Sequence, residues 1–390
     1  MKTILCILAL AALITLNAQT NFTSDPKEAQ VITSDLELFW NAFSKIDDSM
    51  NPFENYIQNG SIGLHEFIPH RIINADSLYS KVQQRKEDYL KAKGIHFDQQ
   101  ELIPYYESFK ALYPYVKFPP VYFVIGRFNS GGTSGKHGLI IGTEMLPEID
   151  ISIPSLIIHE GVHFQQNILD RPYTLAEQAF IEGSADFIAE LITQEPANRS
   201  LHKYCNQRRD SLLSEFAKSA NSHQYTPWMY SEETNGLPRD IGYWVGYEIS
   251  KALYNQAEDK NLMINRLLNN NNYEVLIKQS GVFELYLSPK VVGLSPFDNE
   301  DDFVDPTITE LTIHFSNKMT GSSFQPIREE GVEFPLVDVI GYNDNATSFT
   351  LRIDLKPNTE YGFKVTGKGF KNTDGYSLED FIVRFKTQPK

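Results

Sequence analysis

Cysteine is close to absent from this chain of 390 residues, occurring only as Cys6 and Cys205. Cys6 lies in an amino-terminal apolar run that is expected to be cut away, which leaves Cys205 alone and excludes an intrachain disulfide. A disulfide-free exported chain of this size suits a bacterial periplasm or exterior better than a eukaryotic one. With no second cysteine and no histidine beside it, Cys205 reads as a packed or surface residue. Positive charge is short as well: 35 Lys and Arg stand against 50 Asp and Glu, a formal net charge of −15. That balance weighs against nucleic acid and anionic membrane surfaces as partners, because both reward a basic face. The apolar run at residues 4–16 is too short to span a membrane and stay there, and no other anchor is visible.

What is present at the amino terminus has the three parts of a secretory signal peptide: Met1-Lys2, the apolar run, then Asn17-Ala18-Gln19. Cleavage is expected after Ala18, giving a signal peptide at 1–18 and an exported mature chain without stable membrane insertion. Cys6 comes too early to be the lipid-modified cysteine of a lipoprotein. The hydrophobic fraction of 41% and charged fraction of 22% are those of a globular protein with a sizeable core, and the length favours two domains.

From about residue 31 to 119 the pattern is helical, with Leu36, Phe39, Trp40, Phe43 and Ile46 on one face and a second helix expected over 77–93, stopped by Gly94. Residues 121–125 and 139–141 read as short buried strands. Between them, residues 129–138 form a glycine-rich loop that lacks the Gly-Lys-Ser/Thr ending of a phosphate-binding loop. Such a loop either lets a substrate backbone lie against a sheet edge or is a plain flexible connection.

The centre of the chain is His159-Glu160-Gly161-Val162-His163, inside an apolar helix expected to open at Ser152 or Pro154 and run to about Leu169. Histidines at i and i+4 project from one helix face, so both imidazoles can reach a single zinc ion. Glu160 stands one step round the helix, where it could take a proton from a metal-bound water. Gly161 costs about 1 kcal/mol relative to Ala in a helix interior and hints at a close neighbour.

A further helix, expected over 175–193 and capped by Thr174, carries Glu182 and Asp186. The 18 residues between His163 and Glu182 suffice for a turn and an antiparallel return. Glu182 would then complete a His-His-Glu ligand set, and Asp186 could accept a hydrogen bond from a ligating imidazole. The row Gln178, Glu182, Asp186 and Glu190 is open to two readings: one solvated polar face, or acids turned inward by a cation with Gln178 and Glu190 at solvent. No Lys or Arg interrupts the row, so its like charges repel unless a cation relieves them.

The histidine motif, the 18-residue gap and Glu182-Gly183-Ser184-Ala185 resemble the gluzincin metallopeptidases. The gap is similar to the aminopeptidase N branch, and the Glu182 to Asp186 spacing to the thermolysin branch. From the glycine-rich loop to Gly242-Tyr243-Trp244-Val245-Gly246-Tyr247, the chain resembles a group of bacterial predicted zinc proteases. Two departures stand out. Ile181 stands where both branches usually carry Asn, which leaves the second histidine without a visible support, and no Gly-Ala-Met-Glu-Asn stretch is present to grip a substrate amino terminus. The resemblance implies an oxyanion-stabilising tyrosine; Tyr243 is preferred over Tyr247, and both also suit a core of aromatics. Gly242 and Gly246, one turn apart, would let this helix approach another element closely.

Beyond residue 291 the period changes to two: Leu311, Ile313 and Phe315, then Phe349, Leu351 and Ile353, then Tyr361, Phe363 and Val365, then Phe381, Val383 and Phe385. This part resembles the bacterial Ig-like domains of surface-layer-type proteins. The expectation is therefore an α+β chain: a mainly helical zincin-like metallopeptidase domain with a small sheet at 19–291, then an all-β Ig-like sandwich at 292–390. The expected activity is hydrolysis of a peptide or protein substrate, with Zn2+ held by His159, His163 and Glu182, Glu160 as base and Tyr243 as oxyanion donor. The Ig-like domain is a candidate contact for a cell-surface protein or glycan. The rival readings are an inactive surface module that binds protein or carbohydrate, and a self-processing chain.

Overall fold

The computed structural model describes residues 22–46, 50–230 and 237–389. The expected signal peptide and its Cys6 lie outside them. Helices and sheets are mixed, and the carboxy-terminal part is β-rich, in several sheets. No described helix is long and apolar enough to cross a membrane. The chain falls into two compact units. One holds residues up to Arg171 with Ile181–Tyr204 and Tyr254–Asn271; the other holds Pro172–Phe180, Cys205–Leu253 and Asn272–Lys390.

In the first unit, aromatic side chains at helical spacing build a layer against a small sheet. Phe39, Phe53, Tyr56, Leu64 and Phe67 form one core with Tyr122, Val124, Ile125 and Ile140. The helix expected over 77–93 is two helices, Ala75–Gln84 and Lys86–Lys91. Arg85 leaves the helical region at φ −127 and ψ 33. Its guanidinium lies 3.8 Å from the centre of the Phe128 ring, and its Nε donates to Asp88 at 2.8 Å. The tertiary contact overrides an unbroken helical pattern.

The sheet has the order β1-β2-β4-β3, with β1 Val31–Ile32, β2 Val121–Val124, β3 Gly132–Ser134 and β4 Leu139–Gly142. β1, β2 and β4 run parallel, and β3 pairs antiparallel with β4 at the edge. Every residue of β2 and β4 is buried, as their continuous apolar runs require. The glycine-rich segment is thus an ordered edge strand with a tight turn, Gly135 N donating to Gly138 O at 2.8 Å. Glu66 pins the turn by accepting from the His137 backbone N–H at 3.2 Å and facing its Nδ1 at 2.7 Å.

Below the sheet edge runs the histidine helix, Ile153–Gln165. Ser152 caps it by accepting from Ser155 N, and Pro154 sits in the first turn. It stops four residues short of the apolar pattern. Gln166 is extended at φ −65 and ψ 134, and Ile168 and Leu169, expected inside a buried helix, are exposed. Gly161 has ordinary space around it: a Cβ there would meet Phe109 at 3.7 Å and Leu139 at 3.8 Å. No close neighbour demands glycine, so Gly161→Ala is expected to raise stability by up to about 1 kcal/mol, read from denaturant midpoints. A loss of stability would show that the helix needs the glycine after all.

The glutamate helix, Leu175–Thr193, opens on a capping box in which Thr174 Oγ1 accepts from Glu177 N and Glu177 Oε2 accepts from Thr174 N. Its direction relative to the histidine helix follows from two cross-links. Ser155, at the start of one helix, bonds Thr193, at the end of the other, at 3.1 Å. Gln166, just past the end of the first, bonds Ser184 at 2.9 Å. The return is antiparallel.

In the second unit, Gly246 allows the close approach its sequence position suggests. On the helix Ile241–Gln256, a Cβ at Gly246 would stand 1.7 Å from the Ala179 carbonyl oxygen, and one at Gly242 would stand 2.4 Å from Met229 Cγ. Cys205 is buried and free, and burial pushes its thiol up to about 12. The four strands read from the period of two fall in two sheets: Glu310–Phe315 and Ser348–Ile353 in one, Glu360–Val365 and Phe381–Lys386 in the other. Val291–Ser295 and Leu336–Tyr342 complete the first, and Phe324–Pro326 joins the second. Leu311, Ile313 and Leu351 from the first share a core with Phe363, Val365 and Val383 from the second.

Candidate metal centre

Antiparallel pairing brings His159, His163 and Glu182 together, all within the first unit. His163 Nε2 lies 3.0 Å from His159 Nε2 and 3.0 Å from Glu182 Oε2, and His159 Nε2 lies 3.7 Å from the same oxygen. The far nitrogens are each held. His159 Nδ1 stands 2.7 Å from Asp186 Oδ1, and His163 Nδ1 stands 2.7 Å from Gln166 Oε1.

Both of those partners are acceptors, so each Nδ1 carries the proton and each Nε2 of a neutral ring presents a lone pair. Two nitrogen lone pairs and a carboxylate oxygen then converge with no N–H between them. That arrangement is repulsive unless a cation or extra protons occupy the middle, and two imidazoles with one carboxylate are a donor set that zinc accepts. The charge state agrees. Burial opposes a charged His159 and His163, yet Asp186 and Glu182 lift both imidazoles above their usual range, His159 well above it. Burial would raise the Glu182 carboxyl, and the facing imidazoles instead hold it well below.

Glu160 is 7% exposed and does not join the converging trio. Burial raises its carboxyl while the neighbouring imidazoles pull the other way. The edge strand lies directly against it, since a Cβ on Gly132 would stand 2.6 Å from Glu160 Oε1. Asp186 is buried and supports His159, while Glu190, expected at solvent, is half-buried with Oε2 enclosed and unpartnered among the described residues. Gln178, partly exposed, donates to the Tyr230 hydroxyl at 2.8 Å. Tyr243 stands on the helix Ile241–Gln256, in the second unit, its ring edge-on to Tyr230 at 6.4 Å between centres.

Two residues of the site were not visible in the sequence. Gln166 supplies the support that Ile181 does not: its amide oxygen faces His163, and its amide nitrogen donates to Ile181 O at 3.0 Å and Ser184 Oγ at 2.9 Å. The one available signal was its place three residues after His163, in the short polar run Gln165-Gln166-Asn167. Gly132 is the other, and only its place in a glycine-rich stretch hinted at a close approach.

A largely buried His-His-Glu cluster on two antiparallel helices, with the Glu160 carboxyl and a sheet edge beside it, is a group that could hold a metal ion. Residues 124–276 match the family model described as Predicted Zn-dependent protease (DUF2268), a span that takes in every residue of the cluster. No curated protein matches the chain. Among solved structures, CopC from Methylosinus trichosporium OB3b is similar at 17% identity, over 26% of this chain and 94% of that one, with a TM-score of 0.21. The S-layer protein rSbsC(31-844) is similar at 10% identity over 91% of this chain, with a TM-score of 0.20, and the chain spans 46% of its length. SbsC domains 1-6 give 11% identity, the same 91% and 46% coverage, and a TM-score of 0.21. Likenesses at these TM-scores say nothing about what the chain does.

Proposed function

We propose that the chain is an exported, gluzincin-type zinc peptidase, with its metallopeptidase domain at 19–291 and an Ig-like sandwich at 292–390. The observation that carries this reading is the convergence of two imidazole lone pairs and the Glu182 oxygen at 3.0–3.7 Å with both outer nitrogens already committed. His159, His163 and Glu182 hold the metal, and Asp186 and Gln166 orient the two imidazoles. Zinc in such a site lowers the pKa of a water it binds towards about 7 and polarises a carbonyl.

The protein's own residues do the rest. The substrate backbone adds to the sheet along β3, an edge strand that among the described residues pairs with β4 alone. Glu160, against that edge, takes the proton of the attacking water and passes it to the leaving amine. Tyr243 is assigned the hydrogen bond to the oxygen that becomes negative. The β-rich region serves as the contact for a cell-surface protein or glycan.

The test is metal analysis of the purified mature chain, followed by cleavage of a mixed peptide library with and without a chelator. About one zinc per chain and chelator-sensitive cleavage are expected. A chain that takes up no zinc, or a zinc-loaded chain that cleaves nothing, ends this reading.

A further inference from the structure

Glu144 is a fully buried carboxyl that the proposed chemistry does not use. It lies just past β4, in the turn Thr143–Met145. Its Oε1 accepts from the Phe128 backbone N–H at 3.2 Å, and the nearby backbone N–H groups of Gly126 and of Glu144 itself favour its charged form. The fit leaves no spare room, since a Cβ on Gly126 would stand 2.9 Å from Oε1. Its Oε2 is buried with no hydrogen-bond partner among the described residues. A carboxylate buried in this way is costly, and burial pushes its pKa up to about 7 against the pull of those N–H groups.

The segment it holds leads to the site. Phe128 has φ 58, a left-handed conformation that a bulky side chain adopts at a cost. Its ring is clamped between the Arg85 guanidinium at 3.8 Å and the Tyr89 ring at 4.7 Å between centres. The Tyr89 hydroxyl donates to Gly126 O at 2.8 Å, and Arg127 Nε and Asn129 Nδ2 each donate to Arg71 O at 3.0 Å. Four residues on, Gly132 begins the strand that faces Glu160. Gly131 O accepts from Gly142 N at 2.9 Å, and Gly132 O accepts from Ser130 Oγ at 2.8 Å, so little slack separates the turn from the strand.

We propose that Glu144 is a positioning residue: by accepting from the Phe128 backbone N–H and packing against Gly126, it holds the turn at 126–128 and so sets the edge strand Gly132–Ser134 against Glu160. The catalytic consequence rests on the peptidase reading; the positioning of the strand does not. Proton linkage gives the arrangement a direction in pH. An acid whose value is raised on enclosure binds its proton more tightly when the turn is closed, so closure weakens as pH rises from about 4.5 through about 7. The ionisable groups around it are Glu148, which pairs with Arg85, and Tyr56, Tyr89 and Arg127. The two phenols, pushed up by burial, keep their protons across this window.

Hydrogen exchange of the full chain, read by mass spectrometry over peptides covering 126–134, tests this directly. Glu144→Leu removes the acceptor and is expected to speed exchange there by about tenfold or more. Glu144→Gln keeps the acceptor without the charge and is expected to restore protection to within about threefold of wild type. Between about pH 5.5 and about pH 8, after correction for intrinsic rates, wild-type protection in this segment should fall by about tenfold, and that of Glu144→Gln should not. Equal protection in all three proteins overturns the proposal. So does a loss spread over the whole unit that glutamine does not rescue, which would mark Glu144 as ordinary core. Should the leucine variant not fold, the pH comparison of wild type with Glu144→Gln decides alone. Because exchange needs no substrate, failure of the peptidase reading and failure of this one remain distinguishable.

Discussion

Replacing Glu160 by glutamine is expected to leave about one zinc per chain in place and to lower peptide hydrolysis by roughly 10²- to 10⁴-fold. The reasoning is geometric. Glu160 stands outside the trio of converging donors, so the metal keeps its ligands. Glutamine has nearly the same shape and fits the narrow space beside Gly132, where even one added carbon would stand 2.6 Å from the carboxylate. What changes is the chemistry, because an amide cannot take a proton from water at neutral pH. Zinc content by elemental analysis and kcat/KM on a cleaved peptide together make the test. Wild-type turnover in the zinc-loaded variant would remove Glu160 from the mechanism.

The second large effect is expected at Gln166, a residue that acts through His163. Gln166→Leu should weaken zinc binding by about 10- to 100-fold, measured by competition with a chromogenic chelator. The side chain has three jobs: it fixes the His163 tautomer, and it satisfies both Ile181 O and Ser184 Oγ. Leucine fills similar space and performs none of them. His163 could then carry its proton on Nε2, the atom that must be bare to bind a metal. Gln166→Glu keeps the acceptor for His163 and should retain more of the affinity than leucine. If leucine binds zinc as tightly as wild type, the support of His163 lies elsewhere.

These two residues also mark where the sequence could and could not be read. His159, His163, Glu182 and Asp186 were legible because their placement is a matter of helical repeat and of the length needed for a return. The β-rich strands were legible for the same kind of reason, since Leu311, Ile313 and Phe315 alternate with polar neighbours. Gln166 was not, because it works from the first residue after the helix. Apolar Ile168 and Leu169 extended the apparent helix past it, and periodicity cannot tell an apolar residue in the core from one left at the surface. Arg85 escaped for a related reason: no Gly or Pro marks the break, and the force that makes it is a ring 43 positions away in sequence. Glycines were ambiguous in the same way. Gly246 and Gly161 look alike in the sequence, yet one is required by a carbonyl at 1.7 Å and the other meets nothing closer than ordinary van der Waals contact.

The place where the histidine helix stops has a consequence for how the gene can vary. Gln166 both ends the helix and supports His163, so the interval from His159 to Gln166 is a ruler as well as a ligand set. A single inserted or deleted residue within it would turn everything beyond by about 100° and part the imidazoles from each other or from their supports. Just beyond it, the rule reverses. Ile168, Leu169 and Asp170 face solvent, and a few extra residues there would lengthen a surface bend without disturbing either helix. Insertions in related chains should therefore gather at 168–170 and be missing from 159–166, a pattern of length variation that needs no knowledge of the substrate.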